Sequence, residues 1–247
     1  MWLLCGIPQM KGRTATTSTA YAEIMPSLDY DYIIAGGGCA GLSMAYHLHK
    51  STLKDARVLI LDTSPKVNND KTWCYWSTAS LPYACTQKTY WDQLEFVSPR
   101  VKAIESIAPM RYTFVNSLDF YEEIQAELAQ NPNIHFKYER VLDIEDTAEG
   151  SKVFTNQGIY TASWTFNSVV FPQKRHLDQH VYQLQHFGGW YVKASKATFN
   201  PEKMRLMDFQ PDQEGDVRFV YVLPFSEKEA LVEFTIFSGE KWSERQY

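Results

Sequence analysis

The chain has 247 residues, 45% hydrophobic and 15% aromatic, and its 24 Lys and Arg stand against 29 Asp and Glu for a net charge of −5. At roughly 150 residues per domain this predicts one large domain or two closely joined ones with a sizeable core, and it excludes whole-chain disorder. The absence of any Lys/Arg-rich run excludes nucleic acid as the main partner, and no run reaches the roughly 18 consecutive apolar residues of a membrane-spanning helix.

The cysteines, Cys5, Cys39, Cys74 and Cys85, form no C-x-x-C pair. A disulfide framework or zinc site needs paired spacing, so a reducing compartment is expected. Residues 1–24 are hydroxyl-rich and lack an apolar core behind a basic segment, and Met25 directly precedes Pro26. They make a poor signal peptide and read as a disordered extension or a misplaced start.

From Tyr30 the pattern sharpens. Tyr32-Ile33-Ile34-Ala35 is a short apolar run, a glycine-rich turn follows from Gly36 to Gly41, and Leu42, Ala45, Leu48 and His49 share one helical face. A second β-type run, Val58-Leu59-Ile60-Leu61, ends at Asp62 before a break at Ser64-Pro65. Buried parallel strands read as continuous apolar runs and need a helical crossover, so a βαβ unit is predicted. Residues 63–110 read as irregular and aromatic-rich, with Trp73, Tyr75, Trp76, Tyr90 and Trp91. A helix is predicted over 118–130, with Ser117 as N-cap, Asp119, Glu122 and Glu123 near its start and Asn131-Pro132 as its stop. Ile134, Phe136 and Tyr138 alternate as a strand, 152–164 reads as a hairpin turning at Asn156-Gln157-Gly158, and 168–171 as a buried strand closed by Pro172. Segments 189–195, 204–209, 217–223 and 230–237 are strand-like with turn-rich connectors. Strands without intervening helices predict an antiparallel sheet distinct from the parallel one.

Gly36, Gly38 and Gly41 match G-x-G-x-x-G between a predicted strand and a predicted helix, and Asp62 follows Gly41 by 21 residues at the end of the second strand. That context is the dinucleotide-binding fingerprint. Gly36 allows the tight turn, Gly38 lets backbone approach a pyrophosphate, Gly41 permits close helix–strand packing, and the helix N-terminus offers N–H groups to the anion. Asp62 is expected to accept hydrogen bonds from the adenosine ribose. No Arg adjoins it to take a 2′-phosphate, which disfavours NADP here. The pattern does not separate FAD from NAD. His176 and His180 have i, i+4 spacing, but without H-E-x-x-H or a third ligand no metal site is expected.

Behind the fingerprint come 69–76 (NDKTWCYW), 184–190 (LQHFGGW), 206–210 (LMDFQ), 219–224 (FVYVLP) and 231–235 (LVEFT). In this order they resemble the flavin-dependent lycopene cyclases, over roughly residues 29–242. The resemblance implies an α/β fold: a Rossmann-type FAD-binding domain with an antiparallel β-rich substrate region. On that reading residues 1–25 are an extension, 26–180 the FAD-binding domain and 181–247 the substrate-binding β region. It also implies an enzyme of carotenoid biosynthesis, a lycopene β-cyclase closing the acyclic ends of lycopene or a related carotenoid without net oxidation. Such an enzyme works in the cytoplasm, peripheral to a membrane, because its substrate is a long hydrocarbon.

The resemblance makes Glu233 the proton donor and Asp208 an acid that assists it or takes the proton back. Desolvation of Glu233 within its apolar strand favours the protonated acid. Reduced FAD, with NAD(P)H as external reductant, is expected to stabilise the carbocation electrostatically, with Trp73, Trp76 and Trp190 as candidate cation–π partners. The sequence departs from the family at Gln210, where Arg commonly follows M-D-F, and at Asn167-Ser168-Val169, where an Asp-Ser-Arg-like string is frequent. Family members continue past the position of Tyr247, so the chain is expected to be a piece lacking a second flavin-contacting stretch. Two other readings stand beside this one: an FAD-dependent oxidoreductase of the hydroxylase or isoprenoid-reductase kind, and a non-catalytic FAD-binding module.

Overall fold

The apolar run after Asp29 forms β1 (Tyr30–Ala35) and the turn leads into α1 (Cys39–His49), followed by β2 (Val58–Asp62), β3 (Thr72–Ser77), β4 (Thr89–Trp91), β5 (Gln93–Val97), β6 (Lys102–Ser106) and β7 (Arg111–Asn116). Then come α2 (Ser117–Leu128), β8 (Ile134–Tyr138), β9 (Val141–Thr147), β10 (Gly150–Thr155), β11 (Ile159–Asn167), β12 (Leu184–Lys193), β13 (Lys203–Asp208), β14 (Val217–Pro224) and β15 (Glu229–Ser238). The structure, a computed structural model, describes residues 28–78, 81–87, 89–169 and 183–247. The expected N-terminal extension, the end of the strand expected over 168–171, and His176 and His180 lie outside the described residues.

The strands form three sheets. The first has the order β8-β2-β1-β11-β10-β9, with β8, β2, β1 and β11 parallel. Its central strands bury both faces, which is why they read as unbroken apolar runs. Ile34, Val58 and Ile60 pack with Leu42, Ala45, Phe120, Ile124 and Leu128 of the two helices, while Ile33, Leu59 and Leu61 pack with Val141, Val153 and Ala162. Each such fully buried aliphatic contributes about 1.5–3 kcal/mol. The fourth parallel strand is β11 itself, reached through the Asn156-Gln157-Gly158 hairpin. Ser168 has already left it, and its backbone N–H donates to the Ala35 carbonyl at 2.9 Å.

The cap of α2 is Asn116, one residue before the expected Ser117. Asn116 accepts the Leu118 and Asp119 N–H groups at 3.0 and 3.4 Å. Ser117, fully buried, donates to Asn69 Oδ1 at 2.9 Å and accepts from the Lys71 N–H at 3.1 Å. With Tyr121 donating to Asp70 at 2.9 Å, these bonds dock the NDK part of the first family segment onto α2.

Residues 63–110 are more regular than their sequence suggests: β3 and β4 pair with β7 in the second sheet. This ribbon is apolar on both faces, so no polar–apolar alternation marks it. Trp73 and Tyr75 pack toward the helices, and Cys74, Tyr112 and Phe114 toward the third sheet.

The third sheet has the order β12-β15-β14-β13-β5-β6. Its first four strands are the expected antiparallel ones; β5 then pairs parallel with β13. Two of its strands thus come from residues 93–106, so sheet membership does not follow the expected division at 180/181. A long-range ion cluster ties the two segments together: Glu95 of β5 meets Arg205 Nε at 2.7 Å and Lys203 Nζ at 3.2 Å on β13.

Candidate active site

The glycine turn has the geometry its spacing implied. Gly36 holds φ +105°, and a Cβ there would lie 2.2 Å from Ser168 Oγ. That hydroxyl closes the turn, donating to the Ala35 carbonyl at 2.9 Å. A Cβ on Gly41 would lie 1.9 Å from the Gly36 carbonyl oxygen, so glycine alone lets α1 approach β1. Gly38 faces open space, with nothing within 4 Å of a built Cβ, and no side chain caps α1, whose first turn carries no acidic residue. These features suit a dinucleotide pyrophosphate at the helix N-terminus. Asp62 ends β2 and accepts the Gly37 N–H at 2.8 Å. Lys66, at φ +56°, places its ammonium 3.3 Å from Asp62. An adjacent arginine is the only cation that sequence spacing points to at this position; Lys66 lies beyond the Ser64-Pro65 break, and the left-handed backbone there brings it back.

Glu233 sits midway along β15, the strand next to the β12 edge of the third sheet. Its strand alternates, so Leu231, Glu233 and Thr235 share the face that packs on the β3/β7 ribbon with Leu223, Tyr221, Cys74 and Tyr112. Desolvation there raises the Glu233 carboxyl above the usual carboxylate range. Burial likewise pushes the Cys74 thiol up to about 12 and holds the Tyr112 and Tyr221 phenols neutral, with the Glu233 charge adding to each shift. The acid thus faces a wall of uncharged groups.

Asp208 lies elsewhere. A bulge between Arg205 and Asp208 leaves it in register with Val97, on the Glu95 face of the sheet, where it accepts from Arg205 Nη1 at 2.7 Å and from the Gln210 N–H at 3.0 Å. This is the face opposite Glu233. The two acids are not brought together, and Asp208 is tied into an ion cluster beside a polar cavity of about 470 Å³ lined by Glu95, Lys102, Lys203 and Arg205. Gln210, which replaces the family's arginine, contributes its N–H to the same carboxylate; the charge partner is Arg205, three residues upstream.

Two of the expected aromatic partners are also placed away from Glu233. Trp73 packs edge-on against Phe120 and Tyr121, at 5.5 and 5.6 Å between ring centroids, and Trp190 pairs with Val232, whose side chain points to the opposite face. Trp76 reaches the Glu233 side only through Tyr112, 4.6 Å away. Tyr112 and Tyr221 are the rings beside the acid. His186, within LQHFGGW, is structural: buried, it bonds Ser238 Oγ at 2.8 Å and the Tyr247 hydroxyl. Among the described residues no His/Cys/Asp/Glu group has metal-binding geometry.

The chain thus combines a parallel sheet carrying a glycine turn with a further, largely antiparallel sheet bearing a desolvated acid. Solved structures with this fold include Xcc4156, a flavin-dependent halogenase from Xanthomonas campestris (TM-score 0.62, 11% identity, 89% of this chain and 58% of that one). PqsL from P. aeruginosa has a TM-score of 0.59 in its complex with 2-aminobenzoylacetate, at 13% identity over 85% of this chain and 60% of that one. Halogenase PltM, solved with phloroglucinol and FAD, has a TM-score of 0.54 at 14% identity over 88% of this chain and 52% of its own. This chain therefore spans between about half and three-fifths of the length of these proteins, and at such identities the likeness is one of fold. No curated protein sequence matches it significantly. The chain belongs to the lycopene cyclase family, whose description, lycopene cyclase protein, fits residues 31–246.

Proposed function

We propose that this protein is a lycopene β-cyclase, closing the acyclic ends of lycopene or a related carotenoid into β-rings with no net oxidation. The observation that carries the reading is Glu233: a carboxyl held above its ordinary range by desolvation, on an apolar sheet face and walled by neutral tyrosines. Raising its pKa shifts the carboxyl toward the protonated form, the acid that protonation of a terminal C=C bond requires. The tertiary cation so formed is attacked by the neighbouring double bond, and loss of a ring proton completes the β-ring. Glu233, left as a carboxylate by the first step, is the base on that face and takes the proton back, so the acid is regenerated. In this reading Asp208, which lies on the opposite face of the sheet, is not that base. Tyr112 and Tyr221 offer ring faces to the cation.

Gly36, Gly38, Gly41 and Asp62 hold FAD in this reading. Reduced FAD, kept reduced by NAD(P)H, supplies negative charge that stabilises the cation in a water-poor site. No described helix is long and apolar enough to cross a membrane; a substrate that dissolves in lipid calls for peripheral contact with a membrane, reached from the cytoplasm.

The test is expression of the full coding sequence, wild type and Glu233→Gln, in a lycopene-accumulating bacterium, followed by pigment separation and mass measurement. Wild type is expected to yield β-ring products of unchanged mass, and the variant none. Products heavier by hydrogen or oxygen would instead establish the oxidoreductase reading suggested by the halogenase fold, and wild type that binds FAD but leaves lycopene untouched would establish a binding module.

A further inference from the structure

We propose that Gly189 is a positioning residue for Glu233: its missing side chain is the seat that the acid's side chain occupies. The inference rests on the assignment of Glu233 as proton donor and deepens it.

Gly189, Glu233 and Tyr221 lie directly opposite one another on β12, β15 and β14. Side chains facing each other across paired strands ordinarily stand about 4.5–5.5 Å apart at Cβ. Here a Cβ built on Gly189 would lie 2.9 Å from Glu233 Cγ and 3.3 Å from Oε1, so the Glu233 side chain leans over the glycine. Tyr221 stands on its other flank, and Cys74 and Tyr112 of the ribbon face it. Phe187 and Tyr191, two residues either side of Gly189, share its face. A side chain at 189 would push the carboxyl back toward Tyr221 and out of the direction it now holds. The neighbouring Gly188 makes room for a different group, since a Cβ there would meet the Tyr247 ring at 3.2 Å. The pair of glycines in LQHFGGW thus serves two separate contacts, and Gly188 is an internal control on the same strand.

The experiment is a double-mutant cycle read by thermal unfolding on wild type, Gly189→Ala, Glu233→Ala and the double variant, with lycopene turnover in phospholipid vesicles measured for wild type, Gly189→Ala and Gly188→Ala. Gly189→Ala is expected to lower Tm when Glu233 is present and to leave it unchanged or raised when Glu233 is truncated, since alanine is otherwise the better strand residue. Turnover by Gly189→Ala is expected to show kcat reduced by about 10²-fold with KM little changed and a displaced pH profile, as a misplaced acid produces. Gly188→Ala is expected to keep kcat within about twofold and the wild-type pH profile. Additive Tm effects overturn the seat, whatever the turnover; coupled Tm effects with an unaltered Gly189→Ala kcat and pH profile overturn the positioning role. Wild type that turns over no lycopene overturns the assignment of Glu233, while the Tm cycle still decides the contact.

Discussion

Glu95→Gln tests the ion cluster that joins the β5/β6 hairpin to β13 within the third sheet. Glu95 is 4% exposed and accepts from Arg205 Nε at 2.7 Å, Lys102 Nζ at 3.1 Å and Lys203 Nζ at 3.2 Å. Burial by itself raises its pKa, but the bonds from Arg205, Lys102 and Lys203 outweigh it and hold the carboxyl at about 2, against an ordinary value of 4.5. That interval corresponds to about 3 kcal/mol of stability, in line with the cost of removing one member of a buried charge cluster. Because the folded-state pKa is depressed, this stability is fully present above the unfolded value near 4.5 and is lost as pH falls toward 2. Glutamine cannot ionise. Urea unfolding followed by Trp fluorescence is therefore expected to show Glu95→Gln weaker than wild type by about 3 kcal/mol at pH 7, with the two curves converging between pH 5 and pH 2. A gap that stays constant over this pH range, or one below about 0.5 kcal/mol at pH 7, would refute both the charge argument and the role of the cluster in holding β5 against β13.

The glycine turn separates folding from binding. Gly41→Ala, whose Cβ would lie 1.9 Å from a carbonyl oxygen, is expected to lower Tm sharply. Gly38→Ala, at an unstrained φ of −83° and facing open space, should fold as wild type yet weaken FAD binding at least about tenfold in an absorbance titration; equal effects of the two would contradict the assignment. Glu233→Gln carries a pH signature independent of activity. The Glu233 pKa is raised in the fold, so wild type loses stability as pH climbs from the unfolded value through the folded one, and the amide does not. The variant should match wild type below the unfolded value and exceed it in denaturant midpoints once pH has risen past the folded one; a variant equally stable or weaker at every pH would show that the carboxyl is solvated.

What was legible in the chain was local. The glycine spacing, the apolar runs of β1 and β2 and the acid closing β2 carry their own steric and hydrogen-bonding reasons, and the turn and the βαβ unit formed where the spacing put them, while the Gly37 N–H bond to Asp62 appears only in the structure. Glu233 stood out because one acid interrupts an apolar strand. The β3/β7 ribbon was not legible, since strands with aromatic and apolar residues on both faces show neither alternation nor helical period; nor was the cap of α2, where Asn116 and Ser117 are equally good cap residues and only the docking of Asn69 and Asp70 takes Ser117 away.

The sequence by itself determined a βαβ unit with a glycine-rich turn and an acid interrupting an apolar strand, because both are written in residues a few positions apart. Which acids share a face was decided only by tertiary structure: one bulge in β13 turns Asp208 to the Arg205 side, and a parallel pairing with β5, from more than a hundred residues earlier, supplies the buried Glu95 that holds Arg205 there. Side-chain facing in a sheet has a period of two, so a single irregular residue reverses it, and no spacing along the chain records where that residue falls.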